Sequence, residues 1–441
     1  MLSLRNLALG IGGLFAVMAF ACSSSSNATS GAKICTAGNF VYCRCADRSE
    51  GTKLCHEDGQ GFDECRCEGG GNVGGDEPGD GGLEPVEGGK ASGPKIEAAC
   101  ADKLGVIAGG EGDSYTYVMT YKGDGVFETA KGHPGMRSAA SVATVGSSLV
   151  AVYAGPLSSV LWVKLSSGTW SAPFAPLSTA ASSAPSVVAF GSGARAIYLG
   201  QDDRYHMGTL GDSGWDDGSA FAEPSGGIGS IPDKTRPAAG ANGTSIVYSF
   251  AGSDGSLSRE TYSSSSWSQV GKFATATSYG TAPSMVALDG TSSKDFLTVY
   301  VGDDLLLHAV ARDASSHTWG STSVVDTGAT TSASDLETSL APITGGRAML
   351  VYRSAAGTGY YSVWDASSGF SAPKEIVAGA NPTLASAPVV TRGTCGSEAT
   401  VAYAKATGEV ELMRYSAGAW AGPYAVPGLA NATFVGVGEL P

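Results

Sequence analysis

The chain has 441 residues, a length typical of two or three domains, and it combines 64 glycines with only 15% charged residues. Low charge with many small residues favours short strands and tight turns over long helices. The net charge of −14 argues against a nucleic-acid partner, which needs a basic surface, and against electrostatic binding to an anionic membrane.

The N-terminus has the pattern of a secretory signal peptide, which we assign to residues 1–21. Arg5 precedes an apolar run from Leu7 to Phe20 that ends in small residues. This run is shorter than the roughly 20 apolar residues of a membrane-spanning helix. We therefore expect the segment to direct export rather than to stay in the membrane.

The end of this segment, Ala19-Phe20-Ala21-Cys22, is similar to the lipobox of bacterial lipoproteins. The resemblance implies that Cys22 carries a lipid and becomes the mature N-terminus, with residues 22–33 as a flexible tether. Ser23 rather than Asp follows the cysteine, which by analogy favours the outer membrane of the cell envelope. The alternative is an ordinary secretion signal followed by a fortuitous cysteine.

Residues 34–68 form a cysteine-rich segment with too few apolar residues to bury a core without covalent links. Its even number of cysteines is typical of disulfides in an oxidising compartment, although the sequence does not choose among the 15 possible pairings. A zinc site is the alternative, but the C-x-C spacing differs from usual ligand pairs. The six cysteines are Cys35, Cys43, Cys45, Cys55, Cys65 and Cys67.

Part of this segment, Gly51 to Gly59, has the shape G-x-x-x-C-x-x-D-G. It resembles small cysteine-rich segments of surface lipoproteins from myxobacteria and their relatives, a resemblance that implies no reaction. The following residues, 69–97, are acidic and rich in glycine without a periodic apolar pattern. They are predicted to be a disordered linker.

A repeat occupies the rest of the chain, residues 98–441. A tyrosine ends an apolar run every 45 to 52 residues, and an aromatic residue follows each one 17 to 19 positions later. A period of this length with four strand-like segments per repeat is typical of a β-propeller. The marker tyrosines are Tyr153, Tyr198, Tyr248, Tyr300, Tyr352 and Tyr403, and their aromatic partners are Trp170, Trp215, Trp267, Trp319, Phe370 and Trp420.

Strands left over at both ends of the repeat predict a seventh blade. Leu104 to Gly109 and Tyr117 to Phe127 match the second strand and the third-to-fourth strands of the other repeats, but a first strand is missing. Ala432 to Leu440 is a strand with no blade of its own. Joining the termini completes the blade and leaves no open sheet edge, so we predict an all-β, seven-bladed propeller.

This assignment brings the last two cysteines to one face of adjacent blades. Cys100 precedes the second strand of the closing blade, and Cys395 lies in the turn before the second strand of the preceding blade. We expect a disulfide between them that latches the ring. The alternative is two unrelated buried thiols.

Candidate ligand-binding residues are those that depart from the repeat in the loops that precede each first strand, where propellers usually bind ligands. Three repeats have alanine before proline there, at Ala184, Ala282 and Ala387. Arg236 replaces that alanine before Pro237, and Glu337 takes about the same place in the sixth blade. A guanidinium with carboxylates can orient a polar ligand through charge-assisted hydrogen bonds, although solvated loop charges are the simpler explanation. The full candidate set is Arg236, Glu337, Asp335, Arg137 and His133.

Other polar residues fit structural roles. His206 and His308 lie eight residues after marker tyrosines, a register that favours cross-strand packing over metal binding. Loop acids such as Asp202 and Asp304 are common turn residues, although carboxylates also bind calcium or sugar hydroxyls. No Ser-His-Asp order, phosphate loop or His-Glu-x-x-His pattern occurs, so we expect no catalytic residues, metal or cofactor.

The turn before each marker tryptophan, such as Ser166-Ser167-Gly168-Thr169-Trp170, is similar to the Asp-box repeats of bacterial neuraminidases and to the repeats of sialidase-like and fucose-binding lectins. It keeps the aromatic and the small turn residues but lacks the full Ser-x-Asp-x-Gly-x-Thr-Trp motif. No sialidase catalytic set maps onto this chain. The resemblance therefore implies a propeller architecture with a lectin-like role.

These observations lead to a non-catalytic, membrane-anchored lipoprotein, expected to be a monomer, whose propeller binds a glycan or a protein. One alternative is a glycoside hydrolase or lyase that uses Glu337 and Asp335 as acid and base, with Arg236 holding an acidic sugar. The other is a purely structural envelope protein that displays the cysteine-rich module.

Overall fold

The computed structural model of the protein describes the chain in separate ranges. They are 40–44, 50–54, 56, 61–63, 66–67, 83–86, 95–110, 113–132, 134–173, 181–202, 204–211, 214–216, 236–251, 256–263, 265–268, 271–274, 281–327, 337–377, 382–429 and 431–441.

The chain divides into two compact units, Met1–Pro78 and Gly79–Pro441. The first contains a three-stranded antiparallel sheet of β1 (Phe40–Arg44), β2 (Glu50–Leu54) and β3 (Arg66–Cys67). The predicted signal peptide, the lipidation site Cys22 and the side chains of the six clustered cysteines lie outside the described residues. Their assignment stays a prediction.

The second unit consists, over the described residues, of seven antiparallel sheets, and each forms one blade of a propeller. We number the blades 1 to 7, and blade 1 is the sheet that contains both the first and the last strand of the unit. Blade 1 is built from β34 (Phe434–Glu439), β5 (Leu104–Gly109), β6 (Thr116–Gly123), β7 (Val126–Gly132) and β4 (Glu84–Val86).

The other six blades follow in chain order, and in each the first strand lies innermost, at the central channel, with the later strands further outward. Their strands are as follows: blade 2, β8 (Ser141–Val145), β9 (Ser148–Ala154), β10 (Val160–Ser166) and β11 (Thr169–Trp170); blade 3, β12 (Ser186–Phe190), β13 (Gly193–Leu199), β14 (Tyr205–Gly211) and β15 (Gly214–Asp216); blade 4, β16 (Ala238–Ala241), β17 (Ser245–Ala251), β18 (Leu257–Ser263), β19 (Ser266–Trp267) and β20 (Gly271–Ala274); blade 5, β21 (Ser284–Ala287), β22 (Lys294–Val301), β23 (Leu307–Asp313) and β24 (Ser323–Val325); blade 6, β25 (Thr338–Ile343), β26 (Arg347–Arg353), β27 (Gly359–Asp365), β28 (Gly369–Phe370) and β29 (Lys374–Glu375); blade 7, β30 (Val389–Arg392), β31 (Ala399–Ala404), β32 (Val410–Ser416) and β33 (Ala419–Val426). Two short 3₁₀ helices, Ala98–Cys100 and Pro156–Ser158, complete the described elements. Among the described residues, no helix is long and apolar enough to cross a membrane.

Ring closure takes place in blade 1, as the leftover strands predict. The C-terminal strand β34 pairs antiparallel with β5, with Val437 opposite Val106, and thus supplies the first strand that the N-terminal part lacks. The predicted disulfide between Cys100 and Cys395 is present and joins blade 1 to blade 7. The all-β, seven-bladed fold is therefore confirmed.

The residues before the propeller differ in two respects from the expectation of a disordered linker over residues 69–97. Ile96 is buried in the core cluster that blades 1 and 7 share. Glu84–Val86 forms strand β4, which pairs with β7 on the outer edge of blade 1. Pro85 is tolerated there because an edge strand leaves one side of its backbone without ladder partners. Leu83 packs against the cluster of apolar residues between blades 1 and 2, and this contact explains why the short segment is ordered.

The core lies between neighbouring blades, where apolar side chains of the middle strands pack face to face. All six marker tyrosines are at most 4% exposed, so their constant spacing reflects packing rather than a row of ligand-stacking rings. Because strand side chains alternate between the two faces, each middle strand contributes to the interfaces on both of its sides.

Serine side chains link the innermost strands of adjacent blades near their starts. Ser141 Oγ accepts a hydrogen bond from the Val187 amide at 3.0 Å, and Ser284 Oγ donates to the Thr338 carbonyl at 2.6 Å. Ser186 likewise donates to the carbonyl of Pro237. Because the strand starts bond to one another, they all lie at the same end of the central channel.

Candidate binding site at the channel mouth

The first strands of the blades enclose a central cavity of about 900 Å³. Its wall is formed mostly by alanine, serine, threonine, valine and glycine, whose small side chains leave the space open. The charged residues in the described part of the wall are Arg137, Arg236, Glu337, Arg353 and Arg392. A cavity of this size falls in the usual range for small-molecule sites.

Four of these charges lie at one end of the cavity, which we call the channel mouth and define by Arg137, Arg236, Glu337 and Arg353. Arg137, Arg236 and Glu337 precede the first strands of blades 2, 4 and 6, and the starts of these strands share one end. Arg353 is the last residue of the antiparallel second strand of blade 6, so it returns to the same end. Arg392, the last residue of β30, lies at the opposite end.

Arg236 reaches across the mouth from blade 4 to blade 2. Its Nη2 donates a hydrogen bond to the carbonyl of Ala139, two residues from Arg137. Burial lowers the pKa of Arg236, and the negative charge of Glu337 in blade 6 acts in the opposite direction. One guanidinium therefore interacts with groups of two other blades.

Arg137 and Arg353 add positive charge beside it. The Arg137 side chain is exposed and makes no ion pair with the described residues. The half-buried Arg353 donates from Nε to the Leu384 carbonyl at 2.9 Å. The sequence interpretation missed Arg353 because it lies at a strand end rather than in a loop. The sequence does contain a sign of it, because no other marker tyrosine is followed by a charged residue. The residues that follow the others are Ala154, Leu199, Ser249, Val301 and Ala404.

The structure thus brings together three of the five predicted ligand-binding residues, Arg236, Glu337 and Arg137, on one cavity. His133 and Asp335 lie outside the described residues. The hydrolase alternative needs Asp335 as a partner of Glu337, so its acid and base pair stays a prediction.

The two predicted packing histidines lie at the second positions of third strands, His206 in β14 and His308 in β23, each opposite its marker tyrosine. His206 stacks on Tyr198 with a ring separation of 5.3 Å, and its Nε2 lies 3.0 Å from Asp202 Oδ1. His308 repeats both contacts with Tyr300 and Asp304. The packing interpretation is confirmed for both, and over the described ranges no group of three or more His, Cys, Asp or Glu side chains is arranged to hold a metal ion.

The Asp304–His308 pair makes a pH prediction. The hydrogen bond from His308 is the main cause that lowers the pKa of Asp304, so this pair stabilises the fold above the unfolded-state pKa of about 4 and stops doing so as the pH falls through the lower folded-state pKa. His308→Phe keeps a ring against Tyr300 but removes the donor. We expect the pKa of Asp304 to rise in this variant, measured by NMR titration of the carboxyl carbons. His206→Phe is the matched control, and an unchanged Asp304 titration in His308→Phe would contradict the assignment.

Comparison with known proteins identifies a shared fold. No family model matches the chain, and no curated protein is similar to it in sequence. The BP39L lectin from Burkholderia pseudomallei superposes with a TM-score of 0.56 at 12% identity, over 74% of this chain and 99% of that one. AofleA from Arthrobotrys oligospora gives 0.50 at 12% identity, over 68% and 89% of the two chains. A fucose-specific lectin from Aleuria aurantia gives 0.49 at 14% identity, over 67% and 97%. At such identities the likeness extends to the fold alone.

Proposed function

We propose that the propeller is a non-catalytic carbohydrate-binding domain whose ligand binds at the channel mouth. One observation carries the proposal: charged side chains from blades 2, 4 and 6 converge on one end of a cavity of about 900 Å³ with an otherwise small-residue wall. A few convergent polar groups on an open concave site are what orient a small polar ligand. Sugars, with many hydroxyl groups, match such donors and acceptors.

The fold supports this proposal by analogy. BP39L is a lectin, and it shares the architecture over nearly its whole length. Because one fold carries many unrelated functions, the analogy counts less than the channel mouth itself.

The test is a glycan array probed with the soluble Cys22→Ser chain. We expect binding to at least one glycan class and, for Arg236→Gln, an affinity about tenfold lower or more, because a charge-assisted hydrogen bond to the ligand is lost. Lys164→Gln, a charge removal on the third strand of blade 2 outside the cavity wall, is the control. Absence of binding to every glycan would contradict the proposal and favour a structural envelope protein.

We also propose that a lipid on Cys22 anchors the protein in the cell envelope, with Ser23 favouring the outer membrane. The apolar run before Cys22 and its likeness to a lipobox support this proposal. Cys22→Ser is expected to move the protein from the membrane fraction to the soluble fraction after cell lysis and centrifugation. Retention of this variant in the membrane fraction would contradict lipid anchoring.

A further inference from the structure

The charges in the cavity wall are strongly unequal in sign. Four arginines and one carboxylate, Glu337, contribute among the described lining residues, although the whole chain has a net charge of −14. Among the described residues of the channel mouth, three arginines accompany that single glutamate. This described part of the mouth therefore carries a net positive charge on an acidic protein, and such a region attracts anions at short range.

The three arginines of the mouth have more N–H donors than the described residues supply with acceptors. A guanidinium has five N–H groups. The described partners are one carbonyl for Arg236 and one for Arg353, and Arg137 makes no side-chain hydrogen bond with the described residues. None of the three forms an ion pair with a described carboxylate.

Partial burial makes the small number of described acceptors significant for Arg236. A charged group withdrawn from water is costly unless a counter-charge or hydrogen bonds replace its hydration. Burial lowers the pKa of Arg236, and the charge of Glu337 offsets this only in part. A bound anion would supply the further counter-charge that the described residues do not provide.

We infer that the ligand of the channel mouth is an anionic glycan, a sugar chain that bears carboxylate or sulfate groups, bound by Arg137, Arg236 and Arg353. This inference rests on the proposed function and narrows it. Planar guanidinium groups bind both kinds of oxyanion through paired N–H···O contacts. Glu337 lies beside the anion and weakens its binding by like-charge repulsion.

The experiment measures binding of the Cys22→Ser chain to polygalacturonate, dextran sulfate and uncharged dextran by biolayer interferometry. We expect at least one anionic polymer to bind about tenfold or more tightly than dextran, with an affinity that falls as sodium chloride is raised. The two anionic polymers distinguish carboxylate from sulfate as the recognised group.

Three single substitutions locate the effect. Arg137→Gln changes an exposed side chain, so folding should be preserved, and it is expected to weaken binding of the anionic polymer several-fold. Glu337→Gln is expected to strengthen the same binding, because it removes the only described carboxylate of the mouth. Arg392→Gln removes the same charge at the opposite end of the cavity and is expected to leave the affinity unchanged.

The outcomes separate this inference from the proposed function. Binding of neutral sugars that equals or exceeds that of the anionic polymers, with no effect of Arg137→Gln or Glu337→Gln, would overturn the inference and leave carbohydrate binding in place. An equal loss in Arg392→Gln and Arg137→Gln would also overturn it, because the charge effect would then be unspecific. If neither these polymers nor any glycan of the array binds, the proposed function itself fails.

Discussion

Glu439→Gln is expected to lower the free energy of unfolding of the propeller by about 3–5 kcal/mol, because three hydrogen-bond donors lose a buried, charged acceptor. The Glu439 side chain is fully buried at the end of β34. It accepts hydrogen bonds from the amides of Thr394 and Cys395, at 2.8 and 3.3 Å, and from the hydroxyl of Thr400. Arg414 Nη2 lies 3.5 Å from it. One carboxylate thus attaches the C-terminal strand to blade 7.

Urea unfolding followed by tryptophan fluorescence measures this effect. All seven tryptophans lie between Trp162 and Trp420, so the signal reports on the propeller and not on the N-terminal unit. Glu409→Gln is the matched control, because Glu409 forms an ion pair with Lys405 on the exposed surface and such pairs contribute little. Equal midpoints for Glu439→Gln and the parent chain would refute the role assigned to Glu439.

Removal of the Cys100–Cys395 disulfide is expected to destabilise the propeller by a similar amount. The two cysteines are 295 residues apart, and the chain-entropy model gives about 5 kcal/mol for a loop of this length. The crosslink holds together the two blades that meet at the chain ends. Its loss therefore enlarges the set of open conformations available to the unfolded chain.

The comparison is between the parent chain, Cys100→Ala and the double variant Cys100→Ala/Cys395→Ala. Substitution is preferable to reduction, because a reductant also acts on the six clustered cysteines of the N-terminal unit. Either variant breaks the same bond, so the two should unfold at nearly the same urea concentration, well below the parent. A parent and double variant with the same midpoint would show that ring closure does not depend on the crosslink.

The architecture follows from the sequence because the repeat leaves few alternatives. Aromatic markers at a constant spacing fixed the blade count once the leftover strands at both ends were joined, and strand pairing in blade 1 confirmed that join. Strand β4 was missed because it is only three residues long and lies in a glycine-rich acidic segment, where the packing of Leu83 has no counterpart in a periodic apolar pattern. The Glu439 cluster was also missed, since burial of a charge is set by three-dimensional neighbours and not by local pattern.

The candidate site was only partly predictable. Comparing equivalent positions of the repeats identified Arg236 and Glu337, because departures from an Ala-Pro pattern are visible in the sequence. The reach of Arg236 to the carbonyl of Ala139 in blade 2 was not predictable, since it depends on the width of the channel. Arg353 required the strand direction of blade 6 before it could be placed at the same end.

Blade 1 combines the first strands of the propeller with its last one, so this blade cannot be completed until β34 has been synthesised. Strands β5 to β7 emerge from the ribosome some 300 residues before β34, and until then β5 presents an unpaired edge that can join other chains. Loss of β34 would leave six complete blades and an unpaired β5 edge, so we expect such a product to be prone to aggregation. Closure of the whole ring therefore depends on one strand of six residues.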